Sequence, residues 1–368
     1  MTMLNALLNA QPQPEYSVVL NGKDITRNLD NRLISLRITD NRGFEADELQ
    51  LELDDSDGLL AFPAKGEKIT VSLGWKGDGM MHQNVFTVDE LEHSGAPDVL
   101  SLRARSADFR DSLNVKREQS YHDVTLGAIV QTVAARHKLE STVSGELAGI
   151  AIEHVDQTNE SDASFLTRLA QMHGAIACVK NDALLLMPTG SGKSASGKPL
   201  PVATINREDG DSHRFSIADR EAYTGVTAYW LDTRQAKKQS TDVKRKTRKN
   251  LPQTQPTESP TSDTSFNADN VMVGEEGNIK VLRHTYANKN NAYRAAKSAW
   301  ELLQRGAATF SLNLARGRPD LFPELSVQVK GFKAEIDGTA WVITRCVHTL
   351  DNSSGYGTAV ECELGLED

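Results

Sequence analysis

The sequence predicts a mainly β protein in which two β-rich domains of barrel or sandwich type flank a small α+β domain. Three observations predict it. Apolar and polar residues alternate from Tyr16 to Ser106, the period becomes helical at Tyr121, and alternation returns after Ser212. At 368 residues the chain exceeds the size of one ordinary core, so division is expected. The boundaries fall at 1–108, 109–205 and 206–368, with a mobile insertion at about 235–270 inside the last domain.

In the first domain Ile34, Leu36 and Ile38 alternate with Ser35, Arg37 and Thr39, and Leu49, Leu51 and Leu53 do the same. Ile69, Val71, Leu73 and Trp75 follow, then Leu100, Leu102 and Ala104. Strands with one buried face read this way. Asn21-Gly22, Asp57-Gly58 and Gly77-Asp78-Gly79 supply turn chemistry between them.

In the middle domain Leu126, Ile129, Val130, Val133 and His137 recur at helical spacing, with Asp123 placed as the cap. A second helix starts at Ser161 or Asp162, presents Phe165, Leu166, Leu169 and Met172 on one face, and stops at Gly174. Two short strands, AIACVK and ALLLM, come next.

The last domain opens on the β pattern HRFSIADREAYTGVTAYWLD. From Gln235 to Asn270 it becomes polar, aperiodic and rich in Pro, Ser, Thr and Lys, which cannot offset its ordering entropy by burial. A helix follows with Ala292, Ala295, Ala296, Ala299, Leu302 and Leu303 on one face, closed by Gly306. Alternating runs around Phe310, Leu325 and Val360 end the chain.

Composition narrows function. With 39% apolar residues and a mean hydropathy of -0.44, the chain reads as soluble and globular. It has no run of 18 apolar residues, so no membrane helix is expected, and the amino terminus lacks a secretory signal pattern. Cys178, Cys346 and Cys362 form no metal spacing and are expected to be reduced, buried small hydrophobes. The net charge is -9, yet Lys237 to Lys249 holds seven basic residues and one acid, Asp242. The rest of the chain is therefore six charges more negative than the whole, which argues against general or sequence-specific nucleic-acid binding.

One motif suggests chemistry. MPTGSGKSASGK, Met187 to Lys198, matches a phosphate loop at Gly192, Lys193 and Ser194. Met187 holds the first glycine position, however, and Pro199 and Pro201 exclude the helix whose N-terminus would bind phosphate. A domain linker is the better reading. The basic run KRKTRK has no interleaved aromatics and reads as a solvated loop or a contact to an acidic partner. The nine histidines show no metal spacing, and His137 and His173 sit near helix C-termini, where a partly charged imidazole suits the dipole. No catalytic, cofactor-binding or metal-binding residue is assigned, and no enzyme activity or cofactor is expected.

Two segments carry a resemblance. YANKNNAYRAAKSAWELLQRGAATFSLNLARGRPDLFPELSVQVKGFKAEIDGTAWVITRCVHTLDNSSGYGTAVECEL, residues 286–364, and ESDASFLTRLAQMHGA, Glu160 to Ala175, resemble the late-control D family of tail hub proteins from P2-like contractile phages. The second segment is also similar to the hub portion of type VI secretion spike proteins. The resemblance covers the final two thirds of the chain by motif and the first domain by pattern. It implies tube-like β domains and a homotrimeric ring at the distal end of the tail. Its partners would be a trimeric spike protein, the tail tube protein and, as a further candidate, the tape-measure protein. It places the chain in the virion tail or baseplate, assembled in the host bacterial cytoplasm, and brings no catalytic residue. Because the chain ends just after its last strand, the spike is expected to be a separate polypeptide. A hub-type part of a type VI secretion-like or bacteriocin particle, and a phosphate-loop enzyme, are the alternatives.

Overall fold

The computed structural model describes residues 12–106, 113–180, 183–217, 223–232, 237–244 and 278–366. The chain is mainly β. Its first part contains β1 (Pro14–Leu20), β2 (Lys23–Asp24), β3 (Leu33–Asn41), β4 (Glu48–Asp54), β5 (Lys68–Trp75), β6 (Gly79–Ser94) and β7 (Val99–Ser106). These pair in the order β2-β1-β5-β6-β7-β4-β3. Period two puts Leu36, Ile38, Leu49, Leu51, Ile69, Val71, Leu73, Phe86 and Leu102 on one buried face, where they form a single cluster. The Asn21-Gly22 turn joins β1 to β2 with both residues at positive φ, as a two-residue hairpin requires.

The middle part alternates strands and helices: β8 (Lys116–Thr125), α1 (Leu126–Arg136), β9 (Glu140–Val143), β10 (Ala151–Ser161), α2 (Asp162–Met172), β11 (Ala175–Lys180) and β12 (Ala183–Pro188). β8 and β10 form an antiparallel ribbon, and β11-β12-β9 a small mixed sheet. Leu126, Ile129, Val130 and Val133 of α1 pack with Phe165, Leu166 and Leu169 of α2 in a second buried cluster. The cap of α1 is Thr125, whose Oγ1 accepts from Ala128 N at 3.2 Å, and not Asp123. Asp123 lies inside β8 at φ +48, too early to reach the first helical amides. Ser161 caps α2, and Gly174 ends it in the left-handed region.

Asp162 is the polar centre of this part. It is fully buried, 2.6 Å from Arg136 Nη1, 2.7 Å from His137 Nε2, 2.8 Å from Gln157 Nε2 and 3.2 Å from Arg117 Nε. Burial pushes its carboxyl upward, but the bonds from Arg136, Gln157 and His137 outweigh this and hold it below the usual range.

The last part contains β13 (Ala203–Asn206), β14 (Gly210–Ile217), β15 (Gly225–Asp232), β16 (Lys237–Lys244), β17 (Ile279–Tyr286), α3 (Lys289–Arg305), β18 (Ala308–Leu314), β19 (Ser326–Lys330), β20 (Trp341–Asp351) and β21 (Gly355–Leu364). A three-stranded sheet, β16-β15-β17, lies under α3, and Val226 and Ala228 meet Ala292, Ala295 and Ala296 there. Leu302 departs from the expected face: it is 60% exposed, and Trp300 is buried instead.

Lys237–Lys244 is a strand where an open excursion was expected. It pairs with β15 from Asp232↔Lys237 to Gly225↔Lys244. Of its side chains Val243 packs on the core, Asp242 Oδ1 accepts from Thr227 Oγ1 at 2.7 Å, and Lys238 Nζ lies 4.1 Å from the Tyr229 ring centroid. An edge strand needs little apolar surface when its neighbour supplies the ladder. Residues 245–270 of the expected insertion lie outside the described residues.

The Asp162 cluster yields a first prediction. Replacing a buried carboxylate leaves the facing cations without a counter-charge. Asp162→Asn should cost roughly 3 kcal/mol, read as a lower urea midpoint with an unchanged slope. A loss below about 0.5 kcal/mol, the size of an ordinary surface substitution, would show that solvent compensates Arg117 and Arg136.

Candidate functional site

The two β parts are joined by backbone pairing. β20 pairs antiparallel with β3 from Arg345↔Asn41 to Asp351↔Ser35, so one sheet runs β14-β18-β21-β20-β3-β4-β7-β6-β5-β1-β2. β20 changes neighbour along its length. Trp341 and Val342 pair with β19, a bulge follows between Ile343 and Arg345, and from Arg345 the same edge faces β3. Bulges re-aim a strand in this way. Leu350 and Tyr356, from the β20–β21 hairpin, complete the core of the first part.

Side chains lock the far end of the seam. Trp75 donates through Nε1 to Gly317 O at 2.8 Å, packs on Tyr356 at 5.4 Å between centroids, and carries the Arg316 guanidinium 4.9 Å above its ring. Gly317 is required here: a Cβ would stand 2.5 Å from the Tyr356 ring.

At the other end, where β20 changes partner, Arg42 fills the gap between β3 and the β19 side. Its Nε lies 2.5 Å from Glu324 Oε1 and its Nη1 2.5 Å from Glu363 Oε1. Glu324 also accepts from Gly190 N at 2.7 Å, bringing the chain that leaves the middle part to the same point. Burial raises the Glu324 carboxyl, and the Arg42 charge opposes that rise.

Next to Arg42, at the end of β3, the middle part docks. Lys180, at the end of β11, lies 2.6 Å from Asp40 Oδ1 and 2.5 Å from Asp47 Oδ2. Asp47 also accepts from Asn41 N at 3.0 Å. Its carboxyl is pushed up to about 6, by burial first and the Asp40 charge second, against the pull of Lys180. Helix contacts add to the docking: Ser298 of α3 donates to Gln171 O of α2, and Arg305 Nη2 to Thr189 O at 3.1 Å.

The residues weighed in the sequence take structural places. Lys193 and Ser194 lie in a tight turn in which Leu200 N donates to Gly192 O at 2.7 Å and Ser194 N to Lys198 O at 2.8 Å. The next element is strand β13, so the turn does not lead into a helix as a phosphate loop would, and Lys193 Nζ lies 3.5 Å from Glu146 Oε1. His137 and His173 are the C-caps of α1 and α2. His137 faces Asp162. A partly charged His173 does not hold: burial first, then the Arg294 charge, lowers it to about 4, so it is neutral at pH 7. Cys178, Cys346 and Cys362 are free and buried. Arg42, Lys180, Asp47 and Glu324 carry no functional motif; Lys180 ends the AIACVK strand and Glu324 lies within the segment 286–364 that carries the resemblance.

Asp47 gives a pH prediction. A carboxyl whose folded pKa exceeds its unfolded value of about 3.9 makes the native state bind more protons between the two values, so stability falls as pH rises through that window. From Asp47 alone the loss runs from about pH 4 to about 6 and is complete above it. Asp47→Asn should flatten the fall in unfolding free energy between those pH values, measured by urea melts at half-unit steps. An unchanged slope would place the proton elsewhere.

Comparison with known proteins identifies the family. The family described as phage tail baseplate hub (GPD) matches residues 45–354. A probable baseplate hub protein of Escherichia phage 186 is 50% identical over 366 residues, covering 96% of this chain and 94% of the relative. Its counterpart in Escherichia phage P2 is 48% identical over 377 residues, with the same coverage of both. Among solved structures, a tail protein from Neisseria meningitidis MC58 shares the fold at a TM-score of 0.65 and 15% identity, over 96% of both chains. The E. coli c3393 protein, a type VI secretion component structurally similar to T4 tail proteins gp27 and gp5, does so at 0.53 and 12% identity, over 92% of this chain and 74% of its own. A match across most of the chain, together with 50% and 48% identity to two probable phage hub proteins, makes this chain a member of the phage tail baseplate hub family.

Proposed function

We propose that three copies of this hub close into a ring at the distal end of the tail tube. The ring would receive a trimeric spike protein on one side and the tube protein on the other, with the tape-measure protein as a further partner. The observation that carries this reading is the shared sheet. Two β-rich parts tied edge to edge through β3 and β20 give each chain two linked β units, so three chains offer six around one axis. Such a ring meets a threefold partner and a sixfold one without six separate subunits. A closed ring of this kind uses heterologous contacts, two different surfaces per subunit. The acidic balance of the chain suits a lumen through which DNA passes without adhering. On this reading the protein is made and assembled in the host bacterial cytoplasm and has a structural role.

Mixing hub with its spike protein should give a complex of three hubs and three spikes by native mass spectrometry. Any other stoichiometry overturns the ring. For the turn at Lys193, Lys193→Ala should leave the melting temperature and this assembly unchanged. Saturable ATP binding that the substitution abolishes would show a nucleotide site there instead.

A further inference from the structure

The β8–β10 ribbon turns an outer face to solvent on which His122 and His154 stand directly opposite each other. Their rings stack with centroids 4.5 Å apart and planes at 26°. Their Nδ1 atoms are 3.0 Å apart. Two imidazole nitrogens at that distance cannot both present lone pairs; a proton or a cation must lie between them. The other nitrogen of His154, Nε2, is 2.9 Å from Asp156 Oδ2. An ionised carboxylate only accepts, so Nε2 carries a proton, and in the neutral imidazole this leaves His154 Nδ1 as the bare nitrogen. Asp156 is itself steadied by the Ser120 hydroxyl, which donates to Oδ1 at 2.6 Å. A carboxylate behind an imidazole, fixing its tautomer, is the arrangement that supports metal-bound histidines.

Spacing agrees with this. Zinc–imidazole bonds are about 2.0–2.1 Å, so two nitrogens adjacent on one ion stand about 3.0–3.4 Å apart. The pair already has that separation, on a hydrogen-bonded ribbon that holds it there. We propose that His122 Nδ1 and His154 Nδ1 together bind one divalent transition-metal ion of the zinc, nickel or copper class, with Asp156 orienting His154. Imidazole donors select such ions over magnesium and calcium, which prefer oxygen. Among the described residues no group of three or more His, Cys, Asp or Glu converges to hold a metal. The pair therefore supplies two ligands, solvent fills the remaining positions, and binding is weaker than at a closed four-ligand structural site.

The test is calorimetric titration of the full chain with Zn(II) and Ni(II), beside His122→Ala, His154→Ala and Asp156→Asn. Wild-type protein should take up one ion per chain that is lost, with at least a tenfold weaker Kd, in either histidine variant. Asp156→Asn should weaken it about tenfold, the low end for a supporting carboxylate. Independently of any variant, the imidazole resonances of His122 and His154 should shift on Zn(II) addition and not on Mg(II). Equal uptake by wild type and both histidine variants, or resonances that Zn(II) leaves in place, overturns the proposal and leaves a shared proton as the bridge.

Discussion

The pairing of β3 with β20 is the contact on which the rest of the architecture depends. β3 belongs to the first part of the chain and β20 to the last, with about three hundred residues between them. Each ladder bond contributes only about 1 kcal/mol net. A run from Ser35 to Asn41, backed by Leu36 beside Leu350, nevertheless couples the two β parts as firmly as neighbouring strands within either. Without it both would present open edges, which are liable to pair with other chains. The bulge between Ile343 and Arg345 lets one strand serve two neighbours, and Arg42 occupies the place where the ladder passes from β19 to β3.

Charged groups gather where the middle part meets this seam. Lys180 with Asp40 and Asp47, and Arg42 with Glu324 and Glu363, lie within one stretch at the end of β3. Buried ion pairs contribute little net stability because desolvation offsets attraction, but a misplaced one is costly. Such a cluster penalises every docking angle except the one that pairs all its members. We infer that its role is orientation: three separate apolar clusters, each able to bury its own surface, are set at one mutual geometry.

Much of the fold was legible in the sequence, and the limits have physical causes. Periodicity located β3, β4, β5 and β7 of the first part and both long middle helices, because each buries one face against its own cluster, and that is a local signal. Three of the readings that missed did so for different reasons. β16 takes its stability from β15 and almost none from its own apolar content, so Lys237–Lys244 looked like solvent-exposed chain. Leu302 satisfied the helical spacing, but the sheet beneath α3 covers a narrower arc than the spacing allowed, leaving it exposed. Thr125 displaced Asp123 as cap because β8 continues two residues further than the pattern suggested. The junction residues could not be read at all. Arg42 and Glu363 are remote in sequence and meet only because β3, β20 and β21 lie side by side.

The same pairing bears on how such a protein could carry load. A flexible tether between two β parts would let each respond separately to a partner on its own side. A continuous sheet does not: displacing one part strains the β3–β20 ladder and the Trp75–Gly317 contact together. The middle part, held by Lys180 and by the contact of α2 with α3, is drawn into the same body. Interiors packed at crystal-like density transmit such strain and do not absorb it. In the proposed ring, a push arriving from the tube would therefore reach the spike through covalent chain and backbone hydrogen bonds within each subunit. Only the contacts between subunits would be left to provide freedom of movement.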